Sequence, residues 1–186
     1  MAEVIAVDNS ILASTQTCET QATLRYVLGY DAAEDRAPLM AGTAVHAALA
    51  AWLKSRGNAT IAIQALEKEY RTWATEHVLG TDDRLSYANV LRVMSYWFDV
   101  HPLSSWTVTV EPSLVEVGFA VPLAGDVVFV GRADAVGQDA RGAWLVIEHK
   151  SSGRLDERWR RTHRLAAQHR GVGELAGALH EVGVVP

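Results

Sequence analysis

The sequence predicts an α/β protein, with a mixed sheet built on an antiparallel meander and flanked by helices. Three observations carry this expectation. Apolar residues recur at helical spacing in separate stretches before residue 100. From Trp106 onward the pattern changes to Val-rich alternation broken by turn-forming clusters. Helical spacing then returns in a long seam over residues 156–182. Period 3.6 and period 2 stretches in that arrangement define helices packed around strands.

Taken in order, residues 10–29 read as a helix. Ser10 or Ser14 supplies an N-cap, Leu24 and Leu28 lie on an apolar face, and Gly29 ends it. Residues 38–54 read as a second helix, with Val45, Leu49 and Trp52 at i, i+4 and i+7. His46 lies beside Leu49 and Leu53, on the border of that face. Such a histidine is either a satisfied core residue or a ligand. Two further amphipathic helices follow, marked by Ile63, Leu66, Tyr70 and Trp73, then by Leu91, Met94 and Phe98. Their aromatic stripe reads as core, and residues 58–100 carry no evident chemistry. A half-buried strand follows, with Val115, Val117, Phe119 and Val121 inward and Glu116, Gly118, Ala120 and Pro122 alternating with them. Leu123–Asp126 is a turn. In the last helix Gln168 is the one polar side chain in the seam of Leu165, Val172, Leu175 and Leu179. A buried amide without a partner costs about 1–3 kcal/mol, so Gln168 is expected to be hydrogen-bonded.

The chemistry lies in the stretch from Asp126 to Ser152. Two apolar runs, VVFVGRADAV and AWLVIEHK, flank a short polar loop holding Gly137, Asp139 and Gly142, which is a β-hairpin pattern. Side chains at i and i+2 of a strand share a face, so Glu148 and Lys150 project together. Asp134 stands on the first strand of the same hairpin. Two carboxylates and an ammonium brought together suit a Mg²⁺ site, with the lysine beside a metal-held water.

The order Gly131-Arg132-x-Asp134, a short loop, then Glu148-x-Lys150 resembles the core of the PD-(D/E)XK nucleases, and within them the RecB/AddB-type exonucleases. The resemblance spans nearly the whole chain. It implies a restriction-endonuclease-like core with a helical insertion. It also implies Mg²⁺ or Mn²⁺ held by His46, Asp134, Glu148 and the carbonyl of His149, with Lys150 acting on the attacking water. His46 enters through Gly42-x-x-x-His46-x-x-Leu49, which is similar to the motif giving this group its extra ligand. Gln168 matches the glutamine of the group's Q-x-x-x-Y motif, which implies a catalytic role close to Lys150 and the DNA, although Val172 stands at the tyrosine position. Cys18, Arg25 and Tyr26 fall where the group's opening segment carries a cysteine and a basic-aromatic run. Iron–sulfur members use four thiolates, so Cys18 cannot hold a cluster by itself and would be one ligand in a longer protein. The alternative for Cys18 is a small buried hydrophobe.

At 186 residues, with 49% apolar and 21% charged, the chain reads as one globular domain, residues 1–186. Its helical part is 10–100 and its catalytic sheet and helix 106–186. The family core ends in a strand that would begin where this sequence stops, so a C-terminal truncation is expected. No apolar run approaches the roughly 20 residues of a membrane span, and no secretion signal opens the chain, so a cytoplasmic protein is expected. The net charge of −5 does not advertise DNA binding. A basic run that includes Arg158, Arg161 and Arg164 is either a solvated face or a patch contacting phosphates. The expected function is a metal-dependent DNA nuclease in recombination, repair or phage DNA processing, with DNA as partner and any helicase or recombination partner open. The alternative is a non-catalytic DNA-binding or scaffold domain that keeps the nuclease fold.

Overall fold

The structure, a computed structural model, describes residues 4–30, 37–76 and 83–150. The elements are β1 (Ile5–Val7), α1 (Asn9–Thr17), α2 (Glu19–Ala22), α3 (Ala37–Lys54), α4 (Ala59–Glu76), α5 (Tyr87–Val100), β2 (Val108–Ala124), β3 (Val127–Asp139) and β4 (Trp144–Ile147). Among the described residues the chain divides into two compact units. One draws on Met1–Ala33 and Gly118–Ala133, the other on Glu34–Val117 and Asp134–Ser151. The expected last helix, with Gln168 and the basic run of Arg158, Arg161 and Arg164, lies outside the described residues.

The sheet is mixed, as expected. Its order is β1-β3-β2, and β4 also pairs with β3. β1 runs parallel to the start of β3, with Ile5 opposite Val127 and Val7 opposite Phe129. β4 runs antiparallel to its end, with Ala135 opposite Ile147 and Gln138 opposite Trp144. The expected meander is therefore present, and the short parallel strand β1 is added to it.

In the first unit the expected continuous helix over 10–29 is replaced by three pieces. Asp8 is the N-cap of α1, its carboxylate accepting from the Ile11 N–H at 2.8 Å, so neither Ser10 nor Ser14 has that role. Cys18 is extended (φ −161°, ψ 107°) and separates α1 from α2. Thr23–Val27 then form a π-helical turn. The wide i→i+5 turn shifts the helical face, which is why Leu24 and Leu28 do not form a buried stripe. Leu28 is 59% exposed, and Ala22 is the buried residue of this stretch. Cys18 is exposed, which overturns the reading of it as a buried hydrophobe. Gly131 of β3 also lies in this unit. A Cβ there would collide with the tip of the Phe119 ring, so the ring covers a bare backbone.

The second unit holds the main core. Small residues Ala41, Ala44 and Ala48 line one face of α3 and let other elements approach closely. Trp52, 1% exposed, sits at the centre. Its ring meets Trp97 at 5.3 Å, Trp106 at 5.4 Å and Phe98 at 5.5 Å, two of these contacts being edge-to-face. Removing such a ring costs about 3–5 kcal/mol. Leu66, Tyr70 and Trp73 of α4 and Met94 and Phe98 of α5 fill the rest, as their spacing predicts. Each of these two helices starts at a side-chain cap: Asn58 accepts from the Ile61 N–H, and Ser86 from the Asn89 N–H. Among the described residues no helix is long and apolar enough to cross a membrane.

β2 alternates along its length but changes phase midway. Val108, Val110, Pro112 and Leu114 are its less exposed members before Val115. Val117, Phe119 and Val121 are those after it. Glu116 stands at the change, with φ +61° where a strand residue has about −140°. The expectation that Glu116 simply alternates outward is thereby corrected, since it is half-buried at a β-bulge. β3 continues through Gly137 to Asp139, so Gly137 belongs to the strand and not to the loop. The turn is closed by Asp139, whose carboxylate accepts from the N–H groups of Arg141 and Ala143 at 2.8 and 2.9 Å.

Candidate active site and metal centre

Three elements of the second unit bring chemistry together. α3 presents His46 from the edge of its buried face. β3 presents Asp134, whose neighbours Ala133 and Ala135 are buried. The chain just past β4 presents Glu148, His149 and Lys150. The pairing of Ala135 with Ile147 places Asp134 next to Glu148 and His149 in register.

Asp134 is the hub. Its Oδ1 lies 3.1 Å from Nδ1 of His46. Its Oδ2 accepts from the His149 backbone N–H at 2.6 Å, and Nδ1 of His149 is 3.5 Å away. Burial pushes this carboxyl up, since the side chain is only 13% exposed. The hydrogen bonds from the side chains of His149 and His46 and from the His149 N–H outweigh burial and hold it well below the usual carboxylate range. Asp134 is therefore ionised at neutral pH and can only accept, so the shared proton rests on Nδ1 of His46. His46 is raised above its ordinary value, first by the hydrogen bond to Asp134, against burial, and with help from the Asp134 charge.

Glu148 and Lys150 project together, as their spacing predicts. Nζ of Lys150 donates to Oε1 of Glu148 at 2.5 Å. They sit beyond the last residue of β4, so they share a side without being part of the strand itself. The charges of both reach His46.

Among the described residues one group of donors is spaced to hold a metal ion. It comprises His46, Glu116 and Asp134, one ligand atom from each lying within 4.8 Å of the others. Two carboxylates and an imidazole fit a divalent cation such as Mn²⁺ or Mg²⁺, which favour oxygen donors. Sequence reasoning joined His46 to Asp134 but missed Glu116. The phase change in β2 was the available signal: apolar residues fall on even positions up to Leu114 and on odd positions from Val115.

A mixed sheet flanked by helices, a half-buried acid on its central strand, and a carboxylate–lysine pair beside it are features of a hydrolase site of nuclease type. The family model of the PD-(D/E)XK nuclease superfamily matches residues 9–171, and the chain belongs to that superfamily. Its members are nucleases, and they generally use divalent metals. No curated protein and no solved structure matches the chain.

Proposed function

We propose that the chain is a Mg²⁺- or Mn²⁺-dependent deoxyribonuclease, an exonuclease of the RecB/AddB type working in recombination, repair or phage DNA processing. The observation that carries this reading is the convergence on Asp134 of His46 and His149, with the Glu148–Lys150 pair beside them, in a chain of this superfamily. His46, Asp134, Glu148 and the carbonyl of His149 would hold the metal. When bound, the metal supplies a Lewis acid that polarises the phosphate and eases ionisation of water.

The chain's own groups then have distinct tasks. Asp134, already ionised, presents oxygens without first losing a proton. His46, in its neutral form, presents the lone pair of a ring nitrogen. Lys150 donates to Glu148 and keeps further N–H groups to orient the attacking water. Water adds to phosphorus, the bond from phosphorus to the leaving oxygen breaks, and that oxygen takes a proton. Gln168 is assigned a catalytic role with Lys150, and the run of Arg158, Arg161 and Arg164 is assigned to the DNA, contacting backbone phosphates.

The test uses end-labelled linear DNA and a covalently closed circle, each with Mg²⁺, Mn²⁺ or EDTA. The reading expects mononucleotides or short fragments from linear DNA, an intact circle, and no product with EDTA. Cleavage of the circle would replace the exonuclease with an endonuclease. Binding without cleavage under every metal would leave a DNA-binding domain.

A further inference from the structure

Glu116 is a glutamate in a backbone conformation that favours glycine, in the middle of a 17-residue strand. It stands where β2 changes phase, and a carboxylate oxygen of it lies within 4.8 Å of a ring nitrogen of His46 and a carboxylate oxygen of Asp134. Those two residues come from α3 and β3, so three separate elements deliver the three donors. The group is complete without Glu148, whose Oε1 is held by Lys150.

We propose that Glu116 is a further metal ligand, and that a divalent cation is held between His46, Glu116 and Asp134. This rests on the nuclease reading and adds a donor that the Asp134, Glu148 and Lys150 motif does not contain. The bulge is the device that supplies it. A regular strand would send residue 116 away from the inward row of Val115, Val117 and Phe119. The left-handed residue breaks that alternation and brings the carboxylate to the histidine. With two carboxylates and one imidazole the site favours Mn²⁺ or Mg²⁺ and is too hard to select a thiophilic ion.

Direct Mn²⁺ binding, measured by calorimetry and by electron paramagnetic resonance of free Mn²⁺, tests this without any substrate. The variants are Glu116→Gln, Glu116→Gly and Asp134→Asn. Glu116→Gln keeps the size of the side chain. Glu116→Gly removes the whole side chain but suits the left-handed backbone, so backbone strain does not explain a loss of binding there. Circular dichroism confirms the fold of each. The proposal expects wild-type binding, and a loss of about tenfold or more in both Glu116 variants, comparable to Asp134→Asn. If both Glu116 variants bind within twofold of wild type while Asp134→Asn fails, Glu116 is not a ligand and the nuclease reading stands. If the wild-type chain takes up no Mn²⁺ at all, the ligand assignment and the metal-dependent reading fall together.

Discussion

Gly137→Ala is expected to be a destabilising substitution, and its size follows from the packing of β2 on β3. A Cβ at 137 would stand 2.6 Å from Cγ1 of Val108 and 2.7 Å from the carbonyl oxygen of Thr109. Ordinary van der Waals separation begins at 3.4 Å, so the two neighbours are too close by about 0.8 and 0.7 Å. The Val108 methyl can rotate away. The Thr109 carbonyl is main chain of the adjacent strand and cannot, so the strands must part locally. Forcing an extra carbon into a filled site costs about 1–3 kcal/mol, and a backbone obstacle places this case in the upper half. Alanine recovers about 0.5–1 kcal/mol by restricting the unfolded chain. The net loss is about 1–2.5 kcal/mol, which lowers Tm by roughly 2–10 °C in a chain of this length. Gly118→Ala is the control, because a Cβ there meets only the Gly131 carbonyl oxygen, at 4.0 Å. Thermal unfolding followed by circular dichroism measures both. Equal melting temperatures for the two variants would refute the packing argument. Gly137 is also paired with Leu145 in the ladder that sets Asp134 beside His149, so activity should fall together with stability.

Lys150→Ala should abolish cleavage with metal binding retained, and Asp134→Ala should abolish both; wild-type turnover in either would end the assignment of roles. His46→Ala should narrow the advantage of Mn²⁺ over Mg²⁺ in cleavage rate, because the imidazole is the softer donor, and a full advantage in the variant would return His46 to the core. Replacing Arg158, Arg161 and Arg164 together should flatten the dependence of log affinity on log salt, read by fluorescence anisotropy, by about 0.9 for each duplex phosphate that is no longer neutralised. Tyr70, buried and donating to the Leu85 carbonyl at 3.2 Å, is pushed up to about 12 by burial. A folded value above the unfolded one means stability present in full below about pH 10 and lost as pH rises from there through about 12. Tyr70→Phe should therefore melt lower at pH 8, by about 1 kcal/mol for the missing hydrogen bond, and match or exceed wild type near pH 11.5.

Much of this architecture was legible because it rests on period. α3, α4 and α5 bury most of the residues that their spacing selects, with Val45, Ile63 and Leu91 only partly buried, since long amphipathic helices leave little choice of face. The hairpin was legible because alternating runs flank a turn, and one end of it had to bring Glu148 and Lys150 to Asp134. What stayed hidden has physical causes. β1 is three residues long and exists by pairing with β3, which no local pattern encodes. The stretch around Cys18 looks helical because its residues have adequate propensity. Nothing local announces the extended residue at Cys18 or the π turn over Thr23–Val27. Asp8 caps α1 two residues before the nearest serine, a displacement typical of element boundaries. Glu116 is concealed because the second half of β2, taken alone, alternates cleanly through it. The first half follows the other parity, and a bulge is the way to join the two.

Lys150 held against Glu148 gives the protein an internal counter-ion. Asp134 has hydrogen bonds from His46 and from the His149 N–H, so neither carboxylate meets folding unsatisfied in a partly dry site. On the metal-dependent reading, folding would then be uncoupled from metal loading, in contrast to small zinc domains that are unfolded until the ion arrives. A chelator should then silence this protein without unfolding it. In a cell short of manganese or magnesium, newly made chains would wait as a folded reserve and would not be consumed by proteolysis. Restoring the ion would switch that reserve on at the speed of binding, with no new synthesis.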